Sequence, residues 1–314
     1  MKKIGIVLII LILGVLIYST FFYKLYTENI KIYGNTPYLQ DVLNQPKKVA
    51  LWQVPFNVMD STQVRYTNND SVYTIDRKNS LKILPVNTLS YIYNIKIDNR
   101  EKEFIYTIFK DSPSVYSITL GYKNNLIGEL FNNNTLVNNA KESLKNLEDL
   151  FIDTKKMYGY TITMAMVEDT SCLYKSATVA NTNKKVAINN MYTELEMCAK
   201  KLNASYNGTK MYYQQPYGND STTVYLGIVI NNANTTYYMQ DGISMKHMPY
   251  KKNLIMGYYQ GAFNEMQKCF LAMLEFKTNN QLVSMALPFA KFTTNGINFD
   301  ENQIIQCNLY YPIF

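Results

Sequence analysis

Tryptophan and histidine are nearly missing from this chain of 314 residues, which has one of each, Trp52 and His247. A single imidazole excludes a multi-histidine metal site and leaves a Ser-His-Asp triad without spare parts. The four cysteines, Cys172, Cys198, Cys269 and Cys307, are far apart and none belongs to a CxxC pair, so neither a zinc nor a redox motif is encoded. They read as buried small apolar residues, and in an oxidising compartment three pairings into two disulfides would be open to them. No metal and no cofactor are expected. Blocks of like charge are missing as well: the net charge of +7 is spread along the chain, without a basic run or a basic helix carrying aromatic partners. That excludes the usual footprint of a nucleic-acid binder, and nucleic acid is not an expected partner.

What the chain does have is tyrosine, 28 residues against 14 phenylalanines. Tyrosine can line a pocket with an apolar ring and a polar tip. An AT-rich genome produces the same bias through Tyr, Asn, Lys and Ile codons, and the Asn-rich stretches at 132–134 and 231–234 follow it. At 47% hydrophobic and 18% charged residues, the chain has the composition of a folding protein, with room for an anchor and two domains.

From Ile4 to Tyr23 no residue is charged. About twenty such residues in a helix match the roughly 30 Å of hydrocarbon in a bilayer. Lys2 and Lys3 precede the run, and Phe21, Phe22 and Tyr23 close it as an interfacial aromatic belt before Lys24. Because the run exceeds the short apolar core of a signal peptide, residues 1–26 read as an uncleaved anchor, with residues 4–23 in the lipid bilayer. The positive-inside rule places the N-terminus in the cytoplasm and the soluble domains outside it, in the periplasm of a bacterium, although Lys24 and Lys31 soften the asymmetry.

Residues 27–155 read as a first domain of antiparallel strands. Alternation at Ser71–Ile75, Ser90–Ile97, Glu103–Phe109 and Ser114–Leu120 is broken by turn signals such as Asp98-Asn99. A helix over Val137–Asp153 closes it, with Leu144, Leu147, Leu150 and Phe151 on one face. Residues 156–314 read as an internal duplication, each half running strand, strand, helix, strand, strand. Helices are expected over Val186–Leu202 and Ala262–Lys277, and strands at Tyr160–Met166, Val283–Phe292 and Ile304–Tyr311 among others. The fold class is α+β.

Three stretches of the second half resemble the GyrI-like, or AraC-type, effector-binding family. Gly257-Tyr258-Tyr259-Gln260-Gly261-Ala262-Phe263 is similar to its Y-x-G-P-Y element, with Ala262 for the proline and Phe263 for the tyrosine. Pro288-Phe289-Ala290-Lys291-Phe292 is similar to its P-x-E-x-Y strand, and Asn308-Leu309-Tyr310-Tyr311-Pro312-Ile313 to its last strand. The resemblance implies two strand-helix units joined across one antiparallel sheet, with a cleft on the pseudo-twofold axis for planar or apolar ligands. Tyr259, Phe263, Ala290, Phe292 and Tyr311 are the ligand-binding residues it implies. Where the family has a central glutamate this chain has Ala290, and Phe292 replaces the adjacent tyrosine. A methyl group can neither pair a cationic ligand nor move a proton, so no catalytic residue is assigned.

A second resemblance covers the first domain. Pro37–Asn44 followed by Leu51-Trp52-Gln53-Val54-Pro55-Phe56 resembles the first helix and W-x-P-[FW] turn of SRPBCC, or START-like, helix-grip domains, and Ser143-Leu144-Lys145-Asn146-Leu147-Glu148 resembles their S-L-x-N-L stretch. An apolar cavity is what this implies there.

The expected function is therefore that of a membrane-anchored, extracytoplasmic binder of a hydrophobic or aromatic small molecule, without DNA-binding activity. The alternative is a hydrolase or isomerase of small apolar substrates working in the same cleft through another carboxylate, such as Glu168. A third reading, an envelope or interaction protein, rests on Asn-x-Ser/Thr triplets at Asn69, Asn133, Asn203, Asn207, Asn219 and Asn234.

Overall fold

Apolar and polar residues alternate at a period of two in many segments of the chain, and β-strands are what that period produces. The computed structural model describes residues 12–14, 18, 22–54, 56, 65–67, 70–74, 78–125, 129, 134–168, 171–231, 242–248, 251, 253–284, 286–292 and 298–313. Contacts divide the chain into two units, Met1–Asp153 and Thr154–Phe314, each with its own antiparallel sheet. Together they make an α+β protein with few helices.

Most of the apolar segment 4–23 lies outside the described residues. Among those described, no helix is long and apolar enough to cross a membrane. Tyr23 already pairs with Asn125 in the first sheet, so residues 23–26, read above as the end of the anchor, are strand.

In the first unit the elements run β1 (Tyr23–Tyr33), α1 (Thr36–Asn44), α2 (Pro46–Val49), β2 (Arg65–Thr67), β3 (Asp70–Thr74), β4 (Ser80–Asn87), β5 (Ser90–Ile97), β6 (Arg100–Ser112), β7 (Val115–Asn125) and α3 (Thr135–Ile152). The described strands are ordered β1-β7-β6-β5-β4-β3-β2. Asp98 and Asn99, both at positive φ, form the two-residue turn between β5 and β6, as a primed hairpin turn requires. Asn35 caps α1 by accepting from the Tyr38 amide, and Asn134 caps α3 by accepting from that of Val137. That cap starts α3 at Thr135, two residues before the expected Val137.

One face of this sheet holds Tyr93, Ile95, Phe104 and Tyr106, all fully buried, and α3 presents Leu144, Leu147 and Leu150. Trp52 fills the space between, edge-on to Tyr106 with ring centroids 5.5 Å apart, and its indole N–H donates to the Val42 carbonyl. The turn carrying Trp52 is tied to α3: Ser143 Oγ accepts from the Val54 amide at 2.9 Å, and Asn146 reaches the Trp52 carbonyl. Pro55 lies outside the described residues, and Phe56 is buried.

The second unit runs α4 (Thr154–Tyr158), β8 (Ile162–Met166), β9 (Ser171–Ala180), α5 (Lys184–Lys201), β10 (Ser205–Tyr217), β11 (Ser221–Asn231), β12 (Ser244–His247), β13 (Asn253–Ala262), α6 (Met266–Asn279), β14 (Phe289–Phe292) and β15 (Ile304–Pro312). The strand order is β12-β9-β11-β10-β14-β15-β13-β8. Exchange β8 with β12, β9 with β13, β10 with β14 and β11 with β15, and the order reads backwards into itself. The two halves therefore share one sheet, each lending its first strand to the other's edge.

Local geometry repeats as well. β9 ends at Ala180 and β13 at Ala262 with nearly the same backbone angles, φ −63°, ψ 140° and φ −67°, ψ 140°. Each is followed by one short 3-10 turn and then by a helix, so α6 begins at Met266 and not at Ala262. The first amide of each turn bonds the far hairpin, Asn181 to the Asp220 carbonyl and Phe263 to that of Gln303. Two further boundaries differ from expectation. The strand foreseen from Val283 begins only at Phe289, directly after Pro288, which has no N–H for a ladder bond. The joint falls after Asp153 and not after residue 155, because Thr154 Oγ both accepts from the Ile162 amide and donates to its carbonyl, binding α4 to the second sheet.

Candidate functional site

Helices α5 and α6 cover one face of the second sheet. Leu173, Tyr212, Val224, Leu226, Ile228, Ile255 and Leu309 point to that side and join Ile188, Leu195, Met273 and Cys269 in a continuous buried core. On the same strands the alternate residues, Cys172, Tyr174, Met211, Tyr225, Gly227 and Phe289, face the other way, because successive side chains of a strand point to opposite faces. Here lies a cavity of about 450 Å³, closed at its sides by Lys246, His247 and Met248 from the β12 end, by Leu254, and by Leu287-Pro288 ahead of β14.

The cavity draws on both halves of the unit. Tyr174 and Tyr225 stack with centroids 6.5 Å apart, and Phe289 stacks on Tyr310 at 5.3 Å. Tyr213 lies one residue beyond Tyr212, the last β10 residue paired with β14. Freed from that ladder, its ring meets both Tyr225, at 6.0 Å, and Phe270 of α6, at 5.5 Å. A smaller recess of about 290 Å³, lined by Met166, Glu168, Met256, Lys291 and Tyr310, shares Val167, Met211, Met248, Leu254 and Phe289 with the cavity. The two make one trough.

Its polar groups are few. Lys246 places its ammonium 3.7 Å from the centroid of the Tyr174 ring, and His247 Nδ1 is 3.1 Å from Ser171 Oγ. Among the described residues lining the larger cavity there is no carboxylate; Glu168 borders only the smaller recess. Among the described residues no group of three or more His, Cys, Asp or Glu is placed to hold a metal ion.

The five residues singled out by resemblance are placed differently. Tyr259, Phe263, Ala290 and Phe292 are buried in the helix-side core, and Tyr311 is half-buried against the same core with the Lys277 ammonium over its ring. Phe263 and Phe292 are brought together around Phe299, with centroids at 5.7 and 6.2 Å. Ala290 is the register partner of Tyr212, and Tyr259 spends its hydroxyl on the Ala262 carbonyl at 2.6 Å. None of the five lines the 450 Å³ cavity. The residue that does is Phe289, one position before Ala290, and a one-residue step on a strand changes the face. Tyr174, Tyr213 and Tyr225 lay in the first half of the duplication, where the family motifs offered no pointer. Their signal was the alternation itself.

Burial pushes the Tyr259 phenol and the Cys269 and Cys307 thiols up to about 12, and it raises Tyr311 also. At neutral pH these groups stay protonated, so neither thiol is a ready nucleophile.

No protein-family model matches the chain, and no curated protein does. Solved structures with some likeness include the EcmrR C-terminal domain, 11% identical at a TM-score of 0.38 over 49% of this chain and 98% of that one. The EcmrR–DNA complex in EcmrR-RPo is 11% identical at a TM-score of 0.40, over 60% of this chain and 75% of that one. The di-domain ARO/CYC StfQ of the steffimycin biosynthetic pathway is 10% identical at a TM-score of 0.30, over 92% of this chain and 85% of that one. Likenesses at these scores carry no argument about function.

Proposed function

We propose that the chain is a small-molecule-binding protein whose ligand, planar or apolar, sits in the trough on the helix-free face of the second sheet. The observation that carries this is the 450 Å³ cavity lined by aromatic rings and thioethers from both halves of one sheet. Its size falls within the range of ligand pockets, roughly 300–1,000 Å³, and its lining has their character, mostly apolar with a few placed polar groups. The exchanged first strands and the motifs quoted above support assigning this unit to the GyrI-like effector-binding fold. The order β1-α1-α2, six strands and α3 supports a helix-grip, START-like fold for the first unit, although its interior is filled by Trp52, Tyr93 and Tyr106. The uncharged run at 4–23 supports a membrane anchor that holds both units outside the cytoplasm. DNA binding is not part of the reading.

Naphthalene-sized aromatic compounds titrated onto the purified full-length chain test it. A ligand at a hundredfold excess over its Kd stabilises the folded state by about 2.7 kcal/mol, so the thermal transition of the second unit rises. A broad aromatic and lipophilic panel that shifts neither this transition nor tyrosine fluorescence would remove the proposal. The hydrolase or isomerase alternative needs a carboxylate within hydrogen-bond reach of the substrate. Glu168 in the smaller recess is the group it would have to use, and substrate turnover abolished by Glu168→Gln is the result that would establish it.

A further inference from the structure

We propose that the trough selects an amphipathic anion, a planar or apolar body bearing one carboxylate-like head, with the head held at Lys246. This rests on the cavity being a ligand site, as proposed above, and adds the sign of the ligand's charge.

Charge in the larger cavity is of one sign. Lys246 and His247 are its described titratable groups other than tyrosine and cysteine, and no Asp or Glu accompanies them among the described lining residues. The ion pairs of this unit engage Lys175, Lys184, Lys185, Lys210 and Lys268; Lys246 is in none of them among the described residues. Its ammonium instead rests over the Tyr174 ring, an attraction that orients a cation without neutralising it. Lys246 pairs in register with Cys172, so both side chains project toward the cavity face, at the edge strand where the head of a ligand can stay near water. The floor beyond, Met211, Tyr225 and Phe289, is suited to the body. The smaller recess holds one group of each sign, Glu168 and Lys291, and does not reverse the balance. A ligand anion would gain a charge-assisted hydrogen bond from Lys246, and a ligand cation would meet its repulsion.

The test uses three probes with one body, 2-naphthoate, 2-naphthylmethanol and 2-naphthylmethylammonium, titrated calorimetrically onto the full-length chain and onto Lys246→Met, which keeps the apolar stem over Tyr174. Naphthoate is expected to bind at least about tenfold more tightly than the ammonium probe, and Lys246→Met to remove that tenfold while leaving the alcohol unchanged. A preference for the ammonium probe or for none of the three, or an equal loss of all three in Lys246→Met, overturns the charge assignment and leaves the cavity reading standing. Failure of all three probes to bind overturns both.

Discussion

The two faces of the second sheet are made by alternate residues of the same strands, yet one is a packed core and the other a ligand-sized space. Met211 and Tyr212 are neighbours in β10. The Tyr212 ring packs against Phe263 and Phe299 on the helix side, while the Met211 side chain joins Cys172 and Phe289 on the trough side. Composition does not separate them, since both faces are rich in aromatic residues. What separates them is coverage: α5 and α6 lie on one side only. An aromatic residue on a strand is thus a core residue or a pocket residue according to what the rest of the fold places over it.

The sharpest way to break this comparison is to truncate one residue from each face. Phe292→Ala removes a ring that is 1% exposed and should cost about 3–5 kcal/mol, read as a drop in the urea midpoint of the second unit. Were the loss below about 1 kcal/mol, Phe292 would not be the core residue described here. Tyr192→Phe comes next. Its hydroxyl, at the end of a fully buried α5 side chain, donates to the Met211 carbonyl at 2.7 Å. Losing that hydrogen bond should cost about 0.5–1.5 kcal/mol and, because Met211 lines the trough, should also alter probe binding. Gly257→Ala sharpens the same point, since a Cβ there would stand 2.6 Å from Met273 Sδ. The thioether can swing aside, so a loss of about 1 kcal/mol is expected from the same urea curves. Tyr225→Ala, on the uncovered face, should change stability least, by less than about 1 kcal/mol, while weakening an aromatic probe about tenfold by calorimetry.

The first unit provides a contrast that depends on pH. Burial alone would raise the Glu129 carboxyl, but hydrogen bonds from Lys141, Asn124 and Tyr122 outweigh it and hold the group below its usual range. A carboxyl depressed on folding stabilises the native state above its unfolded pKa, and the contribution is lost as pH falls through the folded value. The difference in urea midpoint between the wild type and Glu129→Gln should therefore be constant near neutrality and shrink once the pH drops below about 4.

Much of the fold was legible beforehand. The hairpin at Asp98-Asn99, the helix closing the first unit and most strands of the second follow from local periodicity and turn chemistry. Boundaries slipped where one residue's backbone role overrode the pattern, as at Pro288, or where a side chain crossed from one element to another, as at Thr154. The site was less legible. Motif matching drew attention to Ala290 and Phe292, which lie on the helix-packed face, whereas the cavity takes Phe289 between Pro288 and Ala290.

By itself, then, the sequence determined the α+β class, the alternation that gives each strand two distinct faces, and the uncharged run at its start. Which face of the second sheet became core and which stayed open was decided only in three dimensions. Period-two alternation states that neighbouring side chains diverge, but the burial of either set depends on helices and strand exchanges contributed from elsewhere in the chain.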